Sequence, residues 1–244
     1  MGSRSSVKVL GTDNIKESSK VRSMFASIAG HYDLANTVLS GGAHFLWRRA
    51  LLQMVRSNSA GCALDLCTGT ADLVPPLASH FKRVVAVDFC FPMLKLGVKK
   101  CISRNASHAA LLQGDALRLP FKDNSFDLIT VAFGIRNFEN LHNGLMEIRR
   151  VLKPAGQLLV LEFGQPQFKP WRYIFRLYSK YCIPLIGYLL TGNREAYSYL
   201  PQTSETFPCG NALLSIFEAC GFKPGGFRSL SGGIGYLYYI TGPN

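Results

Sequence analysis

Three aspartates lie at or near the ends of predicted buried strands, where one ligand could contact all of them. Asp65 lies in "ALDL", Asp88 ends "RVVAVD", and Asp115 follows "ALLQG". The carboxyl ends of parallel strands meet at one edge of a sheet, and ligands bind at that edge. A carboxylate accepts hydrogen bonds from two neighbouring hydroxyls at once, so we expect Asp88 to hold the ribose of a nucleoside cofactor. Asp65 should contact the same cofactor, and Asp115 and Ala116 should lie beside its adenine.

The turn after the first of these strands, "CTGTAD" (Cys67–Asp72), has few glycines for a phosphate-binding loop. A dinucleotide-binding loop would have glycine at 67, 69 and 71, because the backbone must approach a pyrophosphate closely. This chain keeps only Gly69, where we expect the backbone to pass nearest the ligand. A cofactor without phosphates does not need the other glycines, so the turn favours S-adenosylmethionine over NAD. The alternative is that Asp65 and Asp88 only cap their strands.

The stretch "FDLITVAFGIRN" (Phe126–Asn137) carries an arginine and an amide to the tip of a buried strand. Polar side chains positioned by a rigid strand are well placed for chemistry. We therefore expect Arg136 and Asn137 to overlook a reaction site at the same edge as the aspartates. The alternative for Arg136 is a surface salt bridge with Glu139.

Apolar strands alternate with amphipathic helices along the chain, which is typical of a parallel sheet covered on both faces. The five predicted strands are residues 61–69, 83–89, 109–116, 126–134 and 156–163. Before the last strand, a helical apolar stripe is formed by Leu141, Leu145, Ile148 and Leu152. Two further segments, "GFRSL" and "GYLYYITG", predict a terminal antiparallel hairpin. We expect a doubly wound, mostly parallel, seven-stranded Rossmann-like α/β fold.

The composition is that of a globular protein with one core. The chain has 244 residues, of which 48% are hydrophobic. This suits a single domain over residues 21–244 after a loose polar tail over residues 1–20. The tail has no apolar segment of signal-peptide type, and no apolar run reaches the roughly 18 residues of a membrane span. The seven cysteines have no C-x-x-C spacing, so we expect no metal site, no disulfides and a reducing compartment.

Several long segments resemble the C-methyltransferases of ubiquinone and menaquinone biosynthesis, the UbiE/MenG type. "YDLANTVLSGGAHFLWRR" resembles the family's first signature, and "RVLKPAGQLLVLEFG" resembles its second. The first signature is matched at Tyr32, Asp33, Asn36, Ser40, His44 and Trp47. The chain departs from the usual residues at Ala35, Ala155 and Gly164. "LPFKDNSFDLITVAFGIRN" and "GNREAYSYLPQTSETFP" also resemble family segments, so the resemblance covers nearly the whole chain after residue 21.

The resemblance implies a methyltransferase form of this fold and transfer of a methyl group from S-adenosylmethionine to a polyprenyl quinol precursor. The acceptor would be a ring carbon of demethylmenaquinol, of the ubiquinone-pathway benzoquinol, or of both. The family's cofactor positions match Thr70, Asp88, Asp115 and Ala116. We expect the substrate to contact Tyr32, Tyr197 and Tyr199, which fall in the family segments.

Methylation of a ring carbon requires an electron-rich ring, which a quinol gains when a hydroxyl ionises. A phenol has a pKa of about 10, so the site must stabilise the phenolate or remove its proton. Arg136 stays protonated and is suited to stabilising the phenolate, while Asn137 can donate to the second ring oxygen. The candidate proton acceptors are His44, His31, Asp33 or a water molecule. The alternative for the two histidines is a packing or capping role.

The segment from residue 165 to 200 has the composition of a substrate-facing and membrane-facing insertion. One helical face carries Lys169, Arg172, Arg176 and Lys180, and another carries Trp171, Ile174, Phe175, Tyr178 and Cys182. Basic residues beside aromatic residues are typical of an interfacial helix. We therefore expect peripheral contact with the inner face of a membrane from the cytoplasm. The alternative is a core helix with a solvated basic face.

The formal net charge of +12 leaves other functions open. A basic protein can bind nucleic acid, an anionic membrane or an acidic substrate. A nucleic-acid methyltransferase would commonly carry Pro-Pro-aromatic after the fourth strand, where this chain has "GIRN", so we expect no nucleic-acid partner. A non-catalytic scaffold subunit that binds S-adenosylmethionine is a further alternative. The sequence does not choose between the two quinone precursors, and it allows a homodimer.

Overall fold

The computed structural model describes residues 18–242, and its central element is one sheet. The strands are β1 (Asn58–Leu66), β2 (Phe81–Asp88), β3 (Ala110–Gln113), β4 (Phe126–Ala132), β5 (Leu152–Phe163), β6 (Lys223–Leu230) and β7 (Gly235–Thr241). They lie in the order β3-β2-β1-β4-β5-β7-β6. Strands β1 to β5 are parallel, and β7 runs antiparallel between β5 and β6. The predicted fold class is confirmed, including the antiparallel hairpin.

Helices cover both faces of this sheet and its carboxyl edge. The described α-helices are α1 (Ser18–Ile28), α2 (Tyr32–Ser40), α3 (Ala43–Gln53), α4 (Val74–Ala78), α5 (Phe91–Ser103), α6 (Leu141–Val151), α7 (Lys169–Leu177), α8 (Ile183–Thr191), α9 (Arg194–Thr206) and α10 (Asn211–Ala219). Single 3₁₀ turns occur at Ala29–His31, Ile135–Asn137 and Ser231–Gly233, and a π turn at Tyr178–Cys182 joins α7 to α8. Between residues 18 and 242, no helix has the length and apolar character needed to cross a bilayer.

Successive residues of β1 bury their side chains on opposite faces, which explains why the strand must be apolar throughout. Leu64 and Leu66 pack in a cluster with residues of α6 and α10. Ala63 packs in a second cluster with residues of α3, α4 and α5. Because side chains alternate across a strand and both faces are covered, an alternating polar pattern would leave polar groups buried.

A third apolar cluster lies over the carboxyl edge of the sheet. It joins Ala35 of α2, Ile183 of α8 and Tyr197 of α9 to Met93 at the start of α5. We call residues 18–40 and 169–206, which hold α1, α2 and α7 to α9, the cap. The cap covers part of the edge where the parallel strands end.

Element boundaries differ from the predictions by a few residues. Strand β1 ends at Leu66 rather than Gly69, because Cys67 has φ +56° and leaves the extended region. Leu152 belongs to β5 rather than to the preceding helix, which ends at Val151. The predicted loose tail lies mostly outside the described residues, and the part that is described, residues 18–20, is helical.

Candidate active site

Two cavities lie side by side at the carboxyl edge of the parallel strands. The cofactor cavity, of about 410 Å³, lies at the ends of β1, β2 and β4 and is lined by residues such as Leu66, Asp88 and Ala132. The apolar cavity, of about 520 Å³, lies beneath the cap and is lined by residues such as Ile28 and Ile183. Three aromatic residues line both cavities: Phe25, Tyr32 and Phe133.

The cofactor cavity contains four of the predicted cofactor residues: Gly69, Asp88, Asp115 and Ala116. The Asp88 carboxylate is buried and accepts the backbone N–H groups of Gly69 and Cys90, each at 2.8 Å. Burial raises the pKa of Asp88, and these N–H groups counteract the rise by stabilising the carboxylate. Each oxygen keeps a further lone pair, so the ribose hydroxyls of a nucleoside can still be accepted. A Cβ at Gly69 would meet no protein atom within 4 Å, so this turn borders open space.

The charges around the cofactor cavity suit a cationic ligand. Asp88, Asp115 and Glu139 line it, while Arg22 is the one basic side chain among its described lining residues. A pyrophosphate would be repelled by this excess of carboxylates, whereas a sulfonium and an ammonium group would be attracted. The described lining therefore fits S-adenosylmethionine better than a dinucleotide.

Two of the predicted cofactor residues support the turn from outside the cavity. Asp65 accepts the hydroxyls of Thr68 at 2.5 Å and Thr130 at 2.6 Å, and it lines neither cavity. Burial raises its pKa to about 6. Thr70 donates its hydroxyl to Asp33 at 2.7 Å and is likewise absent from both linings. In the structure these two side chains support the turn, and direct contact of Asp65 and Thr70 with the cofactor stays a prediction.

The tip of β4 reaches the boundary between the cavities. Phe133 has φ +59°, a left-handed conformation that a bulky residue rarely adopts. Its N–H donates to the Leu161 carbonyl at 2.7 Å. Gly134 follows, and a Cβ there would lie 2.4 Å from the Cβ of Cys67. Only glycine allows the strand tip to approach the cofactor turn this closely.

Arg136 is buried in the wall of the apolar cavity and forms an ion pair there. Its Nη1 donates to Glu162 Oε1 at 2.8 Å and to the Phe133 carbonyl at 2.5 Å. Its guanidinium lies 5.2 Å from the Phe163 ring centroid. Glu162 is completely buried. The alternative of a surface salt bridge with Glu139 is wrong, because Arg136 is buried against Glu162 and Glu139 lines the cofactor cavity.

Asn137 and Arg136 do not share one cavity. Asn137 lines the cofactor cavity, and its side-chain carbonyl accepts the hydroxyl of Tyr199 at 3.0 Å. Tyr199 lines the apolar cavity beside Arg136. Arg136 therefore lines the cavity that would hold a quinol ring, whereas Asn137 is connected to that cavity through Tyr199. Contact of either side chain with ring oxygens stays a prediction.

His44 lines the apolar cavity, but both of its ring nitrogens are engaged. A guanidinium N–H of Arg48 donates to Nδ1, and Nε2 lies 3.2 Å from the Thr37 hydroxyl. Since Thr37 donates its own proton to the Asp33 carbonyl, Nε2 must carry a hydrogen and donate it to Thr37. Burial and the nearby Arg48 lower the pKa of His44 to about 4. His44 is therefore a neutral positioning residue, and the structure does not place it as the proton acceptor.

The other two predicted proton acceptors are also not in the apolar cavity. The Asp33 carboxylate accepts from Thr70 and from Lys100 Nζ, each at 2.7 Å. His31 is exposed in the 3₁₀ turn before α2. Neither Asp33 nor His31 is among the described residues that line either cavity.

Sequence reasoning missed Glu162 and Arg48. Arg48 lines the apolar cavity and is held by Asp72, with Nη2 and Oδ2 3.1 Å apart. Glu162 is the one acidic residue in β5, and a charge in a buried strand requires a partner. That rule could have paired it with the strand-tip arginine. Arg48 lies four residues after His44 on one helix face, which is the spacing of contacting side chains.

The predicted substrate-contacting residues divide into two groups. The apolar cavity is lined by Tyr32, Trp171, Tyr197 and Tyr199. Arg172 instead donates Nε to the Pro166 carbonyl at 2.6 Å, and Arg176 pairs with Glu205 at 3.1 Å on the surface. The two arginines are therefore outside the cavity.

Sequence comparisons show that the chain is similar to a family of methyltransferases over most of its length. The family model described as the ubiE/COQ5 methyltransferase family matches residues 13–240. A demethylmenaquinone methyltransferase of Porphyromonas gingivalis is 37% identical over 223 residues, which cover 90% of this chain and 91% of that protein. A ubiquinone/menaquinone biosynthesis C-methyltransferase UbiE of Bdellovibrio bacteriovorus is 37% identical and covers 91% and 95%.

Solved structures show the same fold at low identity. A SAM-dependent methyltransferase from Aquifex aeolicus superposes with a TM-score of 0.59 at 18% identity, covering 80% of this chain and 88% of that one. The resemblance found in the sequence signatures is thus confirmed over most of the chain, and the chain belongs to the ubiE/COQ5 methyltransferase family.

Proposed function

We propose that the protein is an S-adenosylmethionine-dependent C-methyltransferase of quinone biosynthesis that acts on a polyprenyl quinol precursor. The observation that carries this proposal is the pairing of the two cavities. A carboxylate-lined cavity suited to a cationic cofactor adjoins an apolar cavity that holds two guanidinium groups. The relatives from Porphyromonas gingivalis and Bdellovibrio bacteriovorus, a demethylmenaquinone methyltransferase and a ubiquinone/menaquinone biosynthesis C-methyltransferase, support the same reaction.

The apolar cavity favours the ionised form of a bound phenol. Arg48 and Arg136 line it, and none of its described lining residues is acidic. Guanidinium N–H groups that donate to the ring oxygen stabilise its ionised form and lower the pKa of the substrate phenol from its usual value of about 10. Each guanidinium also has a carboxylate partner, Asp72 for Arg48 and Glu162 for Arg136, so the effect depends on these directed hydrogen bonds rather than on a net charge. The hydroxyl proton would then pass to water, since no described residue of the cavity lining is a carboxylate that could accept it.

Methylation follows from the ionised ring. When bound, S-adenosylmethionine supplies a methyl group on a positively charged sulfur. Asp88, Asp115 and Ala116 would hold this cofactor beside the apolar cavity. It would supply its methyl group to the ring carbon next to the ionised oxygen and would leave as the neutral thioether. The ring carbon then loses its proton to water, and the ring regains aromaticity. Arg136 stays charged throughout and stabilises the oxygen.

A direct assay tests this function. The purified protein should transfer a methyl group to short-tail demethylmenaquinol, to the benzoquinol of the ubiquinone pathway, or to both, with the product identified by mass spectrometry. The oxidised quinones are the matched controls and should not react, because they have no ionisable hydroxyl. Cofactor binding without transfer to either quinol would favour a scaffold subunit, and transfer to RNA would favour a nucleic-acid enzyme.

We also propose that the cap contacts a membrane. No residue of α7 is buried, so the alternative of a core helix does not describe it. Exposed apolar side chains continue along one side of α7, the π turn and α8: Ile174, Leu177, Tyr181, Leu185, Tyr188 and Leu189. We call these six residues the apolar stripe. Ile174 lies both in the stripe and in the cavity lining, so the stripe borders the cavity that would accept a lipid-tailed substrate.

Charge around the apolar stripe supports the inner face of an anionic membrane as its partner. Lys169 is the first residue of α7, and Lys180 lies in the π turn, where it packs over the ring of Tyr181 in the stripe. Two of the basic residues predicted to contact the membrane have partners within the protein instead. Arg172 donates to the Pro166 carbonyl, and Arg176 pairs with Glu205. The apolar stripe should therefore contribute more to binding than the sequence pattern predicts.

Replacement of Leu185 and Leu189 by serine should weaken co-sedimentation with anionic vesicles roughly tenfold or more, because each buried leucine contributes about 1.5–3 kcal/mol. The matched control is Ile102→Ser, which removes an equally exposed apolar side chain from α5. Replacing the four basic residues 169, 172, 176 and 180 by glutamine should add a smaller, salt-sensitive loss.

Unchanged vesicle binding in both variants would contradict the membrane proposal. If the leucine variant instead converts a dimer to a monomer in sedimentation velocity without affecting vesicle binding, then the apolar stripe is a homodimer interface.

A further inference from the structure

The passage between the two cavities is built from aromatic side chains. Phe25, Tyr32 and Phe133 are the described residues that line both cavities. A methyl group that moves from a cofactor in one cavity to an acceptor in the other must cross the boundary that they share. The sulfur that carries the methyl group must therefore lie close to these rings.

Phe133 is the member of this group that the sheet positions. Its ring packs on Phe163 with centroids 4.5 Å apart and on Trp47 at 6.0 Å. Its backbone keeps φ +59° although a phenyl side chain is unfavourable there. An ordinary extended residue at the end of β4 would place its side chain elsewhere, so the unfavourable conformation keeps an aromatic ring at the boundary.

The other two aromatic residues approach from the cap. Phe25 of α1 and Tyr32 of α2 pack edge to face with centroids 6.2 Å apart. The boundary thus has a ring contributed by the sheet and a pair contributed by the cap.

Aromatic faces discriminate between the two forms of the cofactor. The face of an aromatic ring is electronegative and attracts a nearby cation. The sulfur is cationic before transfer and neutral afterwards, while the rest of the cofactor is the same. A ring beside the sulfur therefore stabilises the methyl donor over the demethylated product.

We infer that Phe133 lies against the sulfonium and is a specificity-determining residue that favours S-adenosylmethionine over S-adenosylhomocysteine. This inference rests on the proposed function for the identity of the cofactor. It also explains how S-adenosylhomocysteine is replaced by a new S-adenosylmethionine. Once the methyl group has been transferred, the sulfur is neutral and the Phe133 ring no longer attracts it.

The test compares the affinities of both ligands by isothermal titration in Phe133→Leu and Phe133→Tyr. The leucine variant removes the ring, so its affinity for S-adenosylmethionine should fall roughly 3–10-fold while the affinity for S-adenosylhomocysteine changes little. The tyrosine variant keeps the ring and should keep the affinity ratio. Phe133→Gly is a second ring-deletion variant that relieves the backbone conformation, and it should show the same loss of ratio if the leucine variant does not fold.

The matched control is Phe138→Leu, because Phe138 lines the cofactor cavity but not the apolar cavity. This change should leave the affinity ratio unaltered. Equal losses for both ligands in the Phe133 variants would overturn the inference and assign Phe133 a packing role. Failure of the unaltered protein to bind either ligand would instead contradict the proposed function.

Discussion

Removal of the Arg136 guanidinium should lower turnover on a short-tail quinol roughly 10²–10³-fold, because the phenolate loses its buried donor. Arg136→Lys should recover part of this activity, since an ammonium supplies the charge but not the planar fork. Affinity for S-adenosylmethionine should hardly change, because Arg136 lines the apolar cavity rather than the cofactor cavity. Turnover and titration measured in parallel check both statements.

The Glu162 partner determines how this experiment must be designed. Glu162 is fully buried and paired with Arg136 at 2.8 Å. Removing one partner of a buried pair typically costs about 3–5 kcal/mol, because the other charge is left uncompensated. Arg136→Ala alone could therefore lose activity by unfolding.

The double variant Arg136→Gln with Glu162→Gln removes both charges and keeps the hydrogen-bonding groups. It should fold, bind the cofactor and show the same loss of turnover. Glu162→Gln alone keeps the guanidinium but leaves it without its carboxylate, so it too can lose stability. Where thermal unfolding shows that this variant is folded, it should retain more activity than the double variant. Turnover of the folded double variant within about threefold of the parent would show that Arg136 does not provide the expected transition-state stabilisation.

Asp88→Ala should weaken S-adenosylmethionine binding roughly 5–150-fold, which corresponds to about 1–3 kcal/mol for ribose hydroxyls left without an acceptor. The loss should include an effect on the turn, because the Gly69 and Cys90 N–H groups also lose their acceptor. S-adenosylhomocysteine should be weakened equally, since the ribose is common to both ligands. Turnover at saturating cofactor should largely recover, because Asp88 does not line the apolar cavity.

A suitable control for Asp88 is Asp127→Ala. Asp127 also belongs to the sheet and accepts a backbone N–H, from Cys62 at 2.9 Å, but it lies outside both cavity linings. It should leave affinity for the cofactor unchanged. If the Asp88 variant binds as tightly as the control, then the ribose is held elsewhere.

The sequence predicts the cofactor side of the site better than the substrate side. Asp88 and Asp115 could be placed because parallel strands bring their carboxyl ends to one edge. The Arg136–Glu162 pair depends on which buried strands are neighbours and on side-chain direction, which spacing alone does not determine. The role of His44 depends on Thr37 and Arg48, since only their positions show that both ring nitrogens are engaged.

Sequence spacing also does not determine the tertiary contacts of residues 169–200, the segment predicted to face the membrane. Periodicity predicts two faces for residues 169–182, but it does not predict that Arg172 bonds to the Pro166 carbonyl just before the helix or that Arg176 pairs with Glu205 of α9. The π turn at Tyr178–Cys182 also changes the register between α7 and α8. The exposed apolar stripe could therefore not be distinguished from the cavity-facing side before the tertiary structure was known.

The two cavities draw on different parts of the polypeptide. Every described residue that lines the cofactor cavity is numbered 139 or lower, whereas the apolar cavity takes much of its wall from residues 163–234. Under the proposed function, the site for the methyl donor and the site for the acceptor therefore come from largely separate parts of the chain and meet at Phe25, Tyr32 and Phe133. We therefore expect substitutions in the parts of α7 to α9 that line the apolar cavity to change which acceptor is methylated while the cofactor cavity keeps its lining, so that acceptor preference can diverge within one fold.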